Sequence, residues 1–140
     1  NDYVEIAKEF GVEELENEHE ERLYKEKSPV AFIKNFPEFT SPFWNMKRNT
    51  ENNTGKKVDV ILSGVETFGS AERETDKEIM RDRFNTIMNG EYKAKLVELF
   101  GEERINLELE EYLDLEFIPR VGTGIGLTRL IKSMEKERLL

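Results

Sequence analysis

The sequence predicts an α+β fold in which an antiparallel sheet of four or five strands is packed by helices, mainly on one face. Three observations support this prediction. The stretch VDVILSGVETFGSAER, at Val58–Arg73, consists of two apolar segments joined by Ser-Gly, a pair that favours a two-residue hairpin turn. Further segments with strand propensity lie on both sides of this hairpin. Three amphipathic helical segments follow it in succession.

The composition limits the classes of function. The chain has 140 residues, enough for one domain or for part of a larger one, and the first residue is Asn1, so we expect a piece of a longer protein. A net charge of −9 argues against broad electrostatic binding of nucleic acid by this piece alone. The chain has no cysteine, which excludes a disulfide scaffold and thiolate zinc sites. No apolar run has the length of a membrane span.

The region before the hairpin begins with a predicted helix, Asp2–Phe10, that is stopped by a glycine. Val30–Phe36 lies between two prolines and is a predicted strand. The aromatic stretch Phe39–Met46 is a candidate for a second strand. Lys47–Lys57 is polar and rich in asparagine, so we expect it to form an exposed loop.

The hairpin brings two carboxylates together. If Ile61 lies opposite Glu66, the alternation of side chains places Asp59, Ile61, Glu66 and Phe68 on one face of the sheet. Asp59 is then diagonal to Glu66, about 7–8 Å away between backbones. Two carboxylates at that spacing can share Mg²⁺, which binds oxygen ligands and keeps waters for substrate phosphates. The alternative is an exposed sheet face with two solvated acids.

The three helical segments after the hairpin are predicted to serve packing rather than chemistry. Thr75–Glu78 fits a capping box, and the helix that it begins ends at Asn89-Gly90. Glu91–Phe100 and Glu103–Leu115 follow, each with its apolar residues aligned on one side. Such stripes are most simply surfaces that face a core.

The last part of the chain combines glycines with a cation. Phe117–Val121 has strand propensity, the spacing GxGxG follows, and Leu127–Leu139 is a predicted helix. Glycines let a ligand approach the backbone, and a helix start offers free N–H groups to phosphates. Arg129, one turn into the helix, adds a permanent cation. The spacing differs from the GxGxxG of dinucleotide-binding folds, and close packing of helix on sheet is the alternative explanation for the glycines.

Taken together and in this order, these motifs resemble those of class II aminoacyl-tRNA synthetases. The resemblance rests on Asp59 and Glu66 seven residues apart, on the GSAER that closes the same strand, and on the terminal RVGTGIGLTRLI. It is closest to the asparaginyl/aspartyl branch and includes the related ammonia-dependent asparagine synthetases. ENEHEERLY, at Glu16–Tyr24, is similar to a Glu-His-Glu segment of asparaginyl enzymes. The resemblance implies that residues 1–140 are a single partial domain, the C-terminal half of a synthetase-like catalytic core.

The resemblance also implies roles for individual residues. Glu66 would hold magnesium on ATP, with Asp59 assisting, and Arg129 would be the catalytic residue that clamps the γ-phosphate. Arg73 would bind the side chain of the amino acid. Strict alternation places Arg73 on the opposite face from Glu66, and a bulge near Gly69 would correct that. Three glycines would let the adenine and ribose of ATP approach the backbone: Gly122, Gly124 and Gly126.

The implied function is ATP-dependent activation of aspartate or asparagine to an acyl-adenylate, with ATP and Mg²⁺ as cofactors. In the whole protein we expect a cytoplasmic homodimer, without membrane association, that contacts tRNA through regions outside this chain. This piece alone is expected to be inactive. Thr128, a small hydroxyl residue before Arg129, favours an ammonia-dependent asparagine synthetase as the alternative. Glu72 and Thr128 depart from the usual synthetase pattern, which leaves open a non-catalytic paralogue that binds ATP or an amino acid.

Overall fold

The computed structural model describes all of residues 1–140. Its sheet has four antiparallel strands that are neighbours in chain order: β1 Val30–Phe36, β2 Gly55–Leu62, β3 Val65–Glu72 and β4 Val121–Ile125. The helices are α1 Tyr3–Phe10, α2 Asn17–Glu26, α3 Lys77–Thr86, α4 Glu91–Phe100, α5 Glu102–Leu113 and α6 Leu127–Lys136. The predicted α+β class with an antiparallel sheet is confirmed. None of these helices combines the length and apolar character that crossing a membrane requires.

Five of the six helices pack in two groups around two separate apolar cores. Helices α1 and α2 cover one face of β1 and β2, where their buried residues include Tyr3, Ile6 and Leu23. Helices α3 and α5 form the second core around Trp44, a residue of the β1–β2 connection, with α4 packed against it. Helix α6 belongs to neither core and packs against β3.

The hairpin has the turn and much of the register that its sequence predicts. Ser63 and Gly64 take φ values of +50° and +90°, which suit a two-residue turn. Ile61 pairs with Glu66, as predicted. Val60, the residue before Ile61 in β2, pairs with Phe68, so that Thr67 is an extra residue in β3. This bulge shifts the alternation by one residue, and the prediction that Phe68 shares a face with Asp59 is therefore wrong.

The glycine run is itself a strand. The predicted strand Phe117–Val121 is wrong, because β4 begins at Val121 and contains Gly122 and Gly124. These glycines pair with Ala71 and Gly69 of β3 through their backbones, which needs no side chain. Gly126 then donates its N–H to the carbonyl of Thr67 at 2.8 Å, and α6 begins at the next residue.

The predicted strand Phe39–Met46 does not form. A short 3-10 helix occupies Glu38–Thr40, and Ser41 takes φ +50°, which ends any extended run. Trp44 is drawn into the second core, where its ring meets that of Phe84 at 5.3 Å between centroids. What remains of the prediction is one isolated antiparallel bridge between Met46 and Arg73.

Helix ends follow local chemistry with small shifts. Asp2 caps α1 by accepting the N–H of Val4, and Gly11 ends it at φ +73°, as predicted. For α3 the cap is Asp76 rather than Thr75, because the Asp76 carboxylate accepts the N–H groups of Glu78 and Ile79. Helix α5 spans Glu102–Leu113, one residue earlier at its start and two at its end than predicted.

Candidate functional site

The motif residues of the hairpin lie on one face of the sheet. Asp59 of β2 pairs with Gly69 of β3, and Gly69 pairs with Gly124 of β4, so these three positions form a row across the sheet. Because the bulge shifts the alternation between Glu66 and Gly69, Glu66 and Arg73 share the face of that row. The parity correction that the sequence required near Gly69 therefore occurs two residues earlier.

Gly122 and Gly124 of β4, with Gly126 just after it, form a surface without side chains between two arginines, which we call the glycine floor. A Cβ on Gly122 would lie 2.7 Å from Nε of Arg73, and a Cβ on Gly126 would lie 3.1 Å from Cδ of Arg129. A Cβ on Gly124, between them, would meet nothing within 4 Å. The middle of the floor is therefore bare backbone, open to a flat ligand.

Two carboxylates converge at one side of this floor. A Cβ on Gly69 would lie 3.0 Å from Oε1 of Glu66 and 3.5 Å from Oδ1 of Asp59, so the absence of a side chain there lets both acids approach. Asp59 is buried, at 5% exposure, and its Oδ2 lies 2.6 Å from Nζ of Lys57. Burial raises the pKa of Asp59 to about 6, against the opposing effect of Lys57, with a smaller rise from Glu66.

The chemistry of these two acids fits Mg²⁺. Oδ1 of Asp59 is buried and has no hydrogen-bond partner, which is costly unless a cation or proton meets it. The chain has no cluster of three or more His, Asp or Glu arranged as a complete metal site. Two carboxylates are what Mg²⁺ uses when phosphates and waters supply its other ligands.

The raised pKa of Asp59 predicts a pH-dependent effect of Asp59→Asn on stability. The Asp59 carboxyl holds its proton more tightly in the folded protein than in the unfolded chain. The stability that the protonated carboxyl contributes is therefore complete below about pH 4 and is lost as the pH rises through about 6. In magnesium-free buffer, we expect the variant to gain stability relative to wild type between pH 5 and pH 7.5. Urea unfolding of both full-length proteins measures this. An equal difference at both pH values would contradict it.

Arg129 and Glu66 open into one cleft. The Nη1 of Arg129 donates to the main-chain carbonyl of Glu66 at 2.8 Å, and the arginine forms no ion pair. The cleft has a volume of about 330 Å³, and Glu20 of α2 also lines it. Since a guanidinium has five N–H donors, most remain free for an anion. Free donors beside carboxylates are the combination that a metal-bound polyphosphate requires.

Two residues of the site were given no role by the sequence reasoning: Lys57, and Glu20, which lies in the Glu-His-Glu segment of the resemblance. Oε2 of Glu20 accepts the main-chain N–H of Glu66 at 2.6 Å, which fixes the backbone at the bulge. Burial raises the pKa of Glu20. The segment does not show which acid meets the hairpin, and the packing of α2 against β3 selects Glu20. For Lys57, the alternation of β2 was available, since it lies two residues before Asp59 on the same face.

Arg73 marks the other end of the site, roughly 20 Å along β3 from Glu66. Its side chain lies against Gly122, and its main-chain N–H donates to the carbonyl of Arg120 at 2.9 Å. Its Nη1 donates to Oδ1 of Asn45 at 3.0 Å, and no carboxylate pairs with it. A half-buried guanidinium with a neutral partner retains its charge for an anionic ligand. The sequence reasoning did not identify Asn45.

A family model described as tRNA synthetases class II (D, K and N) matches residues 2–139. The chain is 30% identical over 122 residues to a lysine–tRNA ligase of Mycobacterium bovis, covering 86% of this chain and 23% of that protein. It is 28% identical over 131 residues to an aspartate–tRNA(Asp) ligase of Thermococcus kodakarensis, covering 87% and 26%. The chain therefore spans about a quarter of the length of these curated relatives.

Solved structures share the fold. The asparaginyl-tRNA synthetase of Entamoeba histolytica in complex with asparaginyl-adenylate has a TM-score of 0.74 at 16% identity, covering 97% of this chain and 31% of that one. The asparaginyl-tRNA synthetase of Pyrococcus horikoshii complexed with asparaginyl-adenylate has a TM-score of 0.71 at 19% identity, covering 96% and 31%. At these identities the likeness concerns the fold alone.

Proposed function

Since this chain belongs to the family of class II tRNA synthetases for D, K and N, we propose that it carries the part of an ATP-dependent ligase that activates an amino acid as its adenylate. The proposal rests on one observation above all. Glu66, Asp59 and Arg73 share one sheet face, with Arg129 at the cleft beside it and bare glycine backbone between the arginines. We also propose that residues 1–140 form the C-terminal half of the catalytic domain, as the order of their motifs suggests.

In the proposed reaction, a carboxylate oxygen of the amino acid attacks the α-phosphorus of ATP. A bond forms between that oxygen and phosphorus, the bond from phosphorus to the bridging oxygen breaks, and pyrophosphate leaves with its electron pair. The protein needs no nucleophile of its own, so catalysis consists of positioning and stabilisation of charge. When bound, Mg²⁺ would neutralise part of the phosphate charge.

The chain's own residues divide this work. Glu66 and Asp59 would hold the metal ion, and Arg129 would donate to the γ-phosphate from the free N–H groups of its guanidinium. The adenine and ribose would bind against the glycine floor, because no Cβ stands between them and the backbone. Arg73 would receive the side chain of the amino acid.

The charge of Arg73 supports aspartate as the amino acid. A cation without an anionic partner repels the ammonium of lysine and gains more from a carboxylate than from the amide of asparagine. The net charge of −9 disfavours binding of tRNA phosphates by this chain, so we propose that tRNA contacts come from other regions.

The experiment that tests the function is aspartate-dependent exchange of pyrophosphate into ATP by the full-length protein. Exchange above the level without amino acid supports the proposal, and its absence with aspartate, asparagine and lysine alike would refute it. Thr128 before Arg129 favours a second candidate, an ammonia-dependent asparagine synthetase. Release of free asparagine on addition of ammonia identifies that enzyme, whereas aminoacylation of tRNA without ammonia identifies a tRNA ligase.

Gly124→Ala separates contact with the nucleotide from effects on folding. The new methyl group meets no atom within 4 Å and Gly124 does not have positive φ, so we expect the melting temperature of the full-length variant to match wild type. If the nucleotide lies on this floor, the methyl group occupies its place, and we expect the KM for ATP to rise about tenfold or more. Steady-state exchange assays measure this. An unchanged KM for ATP would place the nucleotide elsewhere.

A further inference from the structure

We propose that Asn45 is a positioning residue that sets the charge of the amino-acid pocket, because its neutral amide holds Arg73 without neutralising it. The pocket then selects an acidic side chain. This inference rests on the proposed function, since it concerns the substrate of that same site, and it assigns a role to a residue of the irregular β1–β2 connection.

The backbone around Asn45 is fixed by the end of the hairpin. The main-chain carbonyl of Asn45 accepts the N–H of Glu74 at 2.9 Å, and Met46 forms the isolated bridge with Arg73. The N–H of Lys47 donates to the carbonyl of Glu72 at 2.9 Å. Residues 45–47 therefore lie alongside the end of β3 that precedes Arg73. These backbone contacts place the side chain of Asn45 next to the guanidinium of Arg73.

The orientation of the Asn45 amide follows from its neighbours. A guanidinium has only donors, so the atom 3.0 Å from Nη1 of Arg73 must be the oxygen, Oδ1. The Nδ2 group then faces the hydroxyl of Tyr112, at 3.5 Å. That hydroxyl also lies 3.4 Å from Nη2 of Arg120. No carboxylate takes part in this set of contacts.

Two arginines near this site, the buried Arg48 and the half-buried Arg83, are paired with carboxylates instead. Nε of Arg48 lies 2.8 Å from a carboxylate oxygen of Glu38, and Nη1 of Arg83 lies 3.1 Å from one of Glu74. Those ion pairs neutralise the charge of each arginine and stabilise the fold. Arg73 has an amide in the corresponding role, so its position is fixed while its charge remains uncompensated.

Asn45→Asp is the decisive variant, because it exchanges the neutral acceptor for an anionic one of the same size. The new carboxylate would pair with Arg73, so we expect the fold to be retained, with a melting temperature equal to or above that of wild type. We expect the dissociation constant for L-aspartate to rise about 30-fold or more. Asparagine binding and the KM for ATP should change less than about threefold.

Two further variants complete the test. Asn45→Ala removes the acceptor without adding charge, and we expect a loss of aspartate affinity of about three- to tenfold. Asn85→Asp is the matched control, because Oδ1 of the exposed Asn85 also accepts from a cation, Nζ of Lys93, at 2.9 Å. It adds the same charge away from the site and should leave all these quantities unchanged.

Calorimetric titration of the full-length proteins with L-aspartate and L-asparagine measures binding, and pyrophosphate exchange measures activity separately. Wild-type affinity for aspartate in Asn45→Asp overturns the inference, as does the absence of aspartate binding by wild type. A loss of all ligands with a lower melting temperature also overturns it. If wild type binds aspartate without exchange and Asn45→Asp loses that binding, the inference stands and the proposed enzymatic function fails.

Discussion

Replacing Arg129 by alanine in the full-length protein should lower aspartate-dependent pyrophosphate exchange by about 10³-fold or more. An arginine that stabilises the charge of a transferring phosphoryl group is worth factors of this order. Arg129 suits the role because its guanidinium is exposed at the cleft, forms no ion pair and uses one donor on the carbonyl of Glu66. With that donor the arginine is already held beside Glu66, one of the two proposed metal ligands.

The same substitution should leave the fold intact, since the lost contact is a hydrogen bond at the surface. Circular dichroism and the melting temperature check this. Arg104→Ala is the matched control, because Arg104 is an exposed helical arginine whose ion pair is with Glu108 of its own helix. Its exchange rate should equal that of wild type. Normal exchange by Arg129→Ala would remove Arg129 from the site.

Replacing Glu66 by glutamine should lower exchange by about 10²-fold or more and shift its dependence on magnesium to higher concentrations. The amide is a poor ligand for a hard cation, and of the two proposed metal ligands only Asp59 would remain anionic. The substitution is conservative for the structure. The contacts of residue 66 with Glu20 and Arg129 use its main-chain N–H and carbonyl, so both persist.

Magnesium titrations of the exchange reaction compare wild type with Glu66→Gln. The control is Glu103→Gln, since Glu103 is an exposed acid in the first turn of α5 and should respond like wild type. An identical magnesium titration for Glu66→Gln would show that the carboxylate does not hold the ion. A lower rate with an unchanged magnesium dependence would assign it another role.

Much of the fold was predictable because it depends on neighbours in sequence. The Ser63-Gly64 turn, the pairing of Ile61 with Glu66 and the glycine that ends α1 all follow from local backbone preferences. The family resemblance drawn from spaced motifs is confirmed by the match over residues 2–139. The roles of the individual site residues remain predictions.

The errors arose where distant contacts overrode local preference. Trp44 lies in a stretch with strand propensity, yet its burial among α3 and α5 leaves the chain irregular there. Gly122 and Gly124 have low strand propensity, yet the free edge of β3 pairs with them. The face of Phe68 depends on one extra residue, Thr67, whereas the sequence predicted the bulge near Gly69, after Phe68.

The sequence by itself determined the hairpin, five of the six helices and the list of charged and glycine residues that the proposed chemistry uses, because these depend on residue type and short spacing. The tertiary structure alone decided that Asp59, Glu66 and Arg73 share a face, since one bulge controls that parity. It also selected Glu20 and Asn45 as partners of Glu66 and Arg73. The physical reason is that hydrogen bonds between segments 28 or more residues apart follow from packing of whole elements.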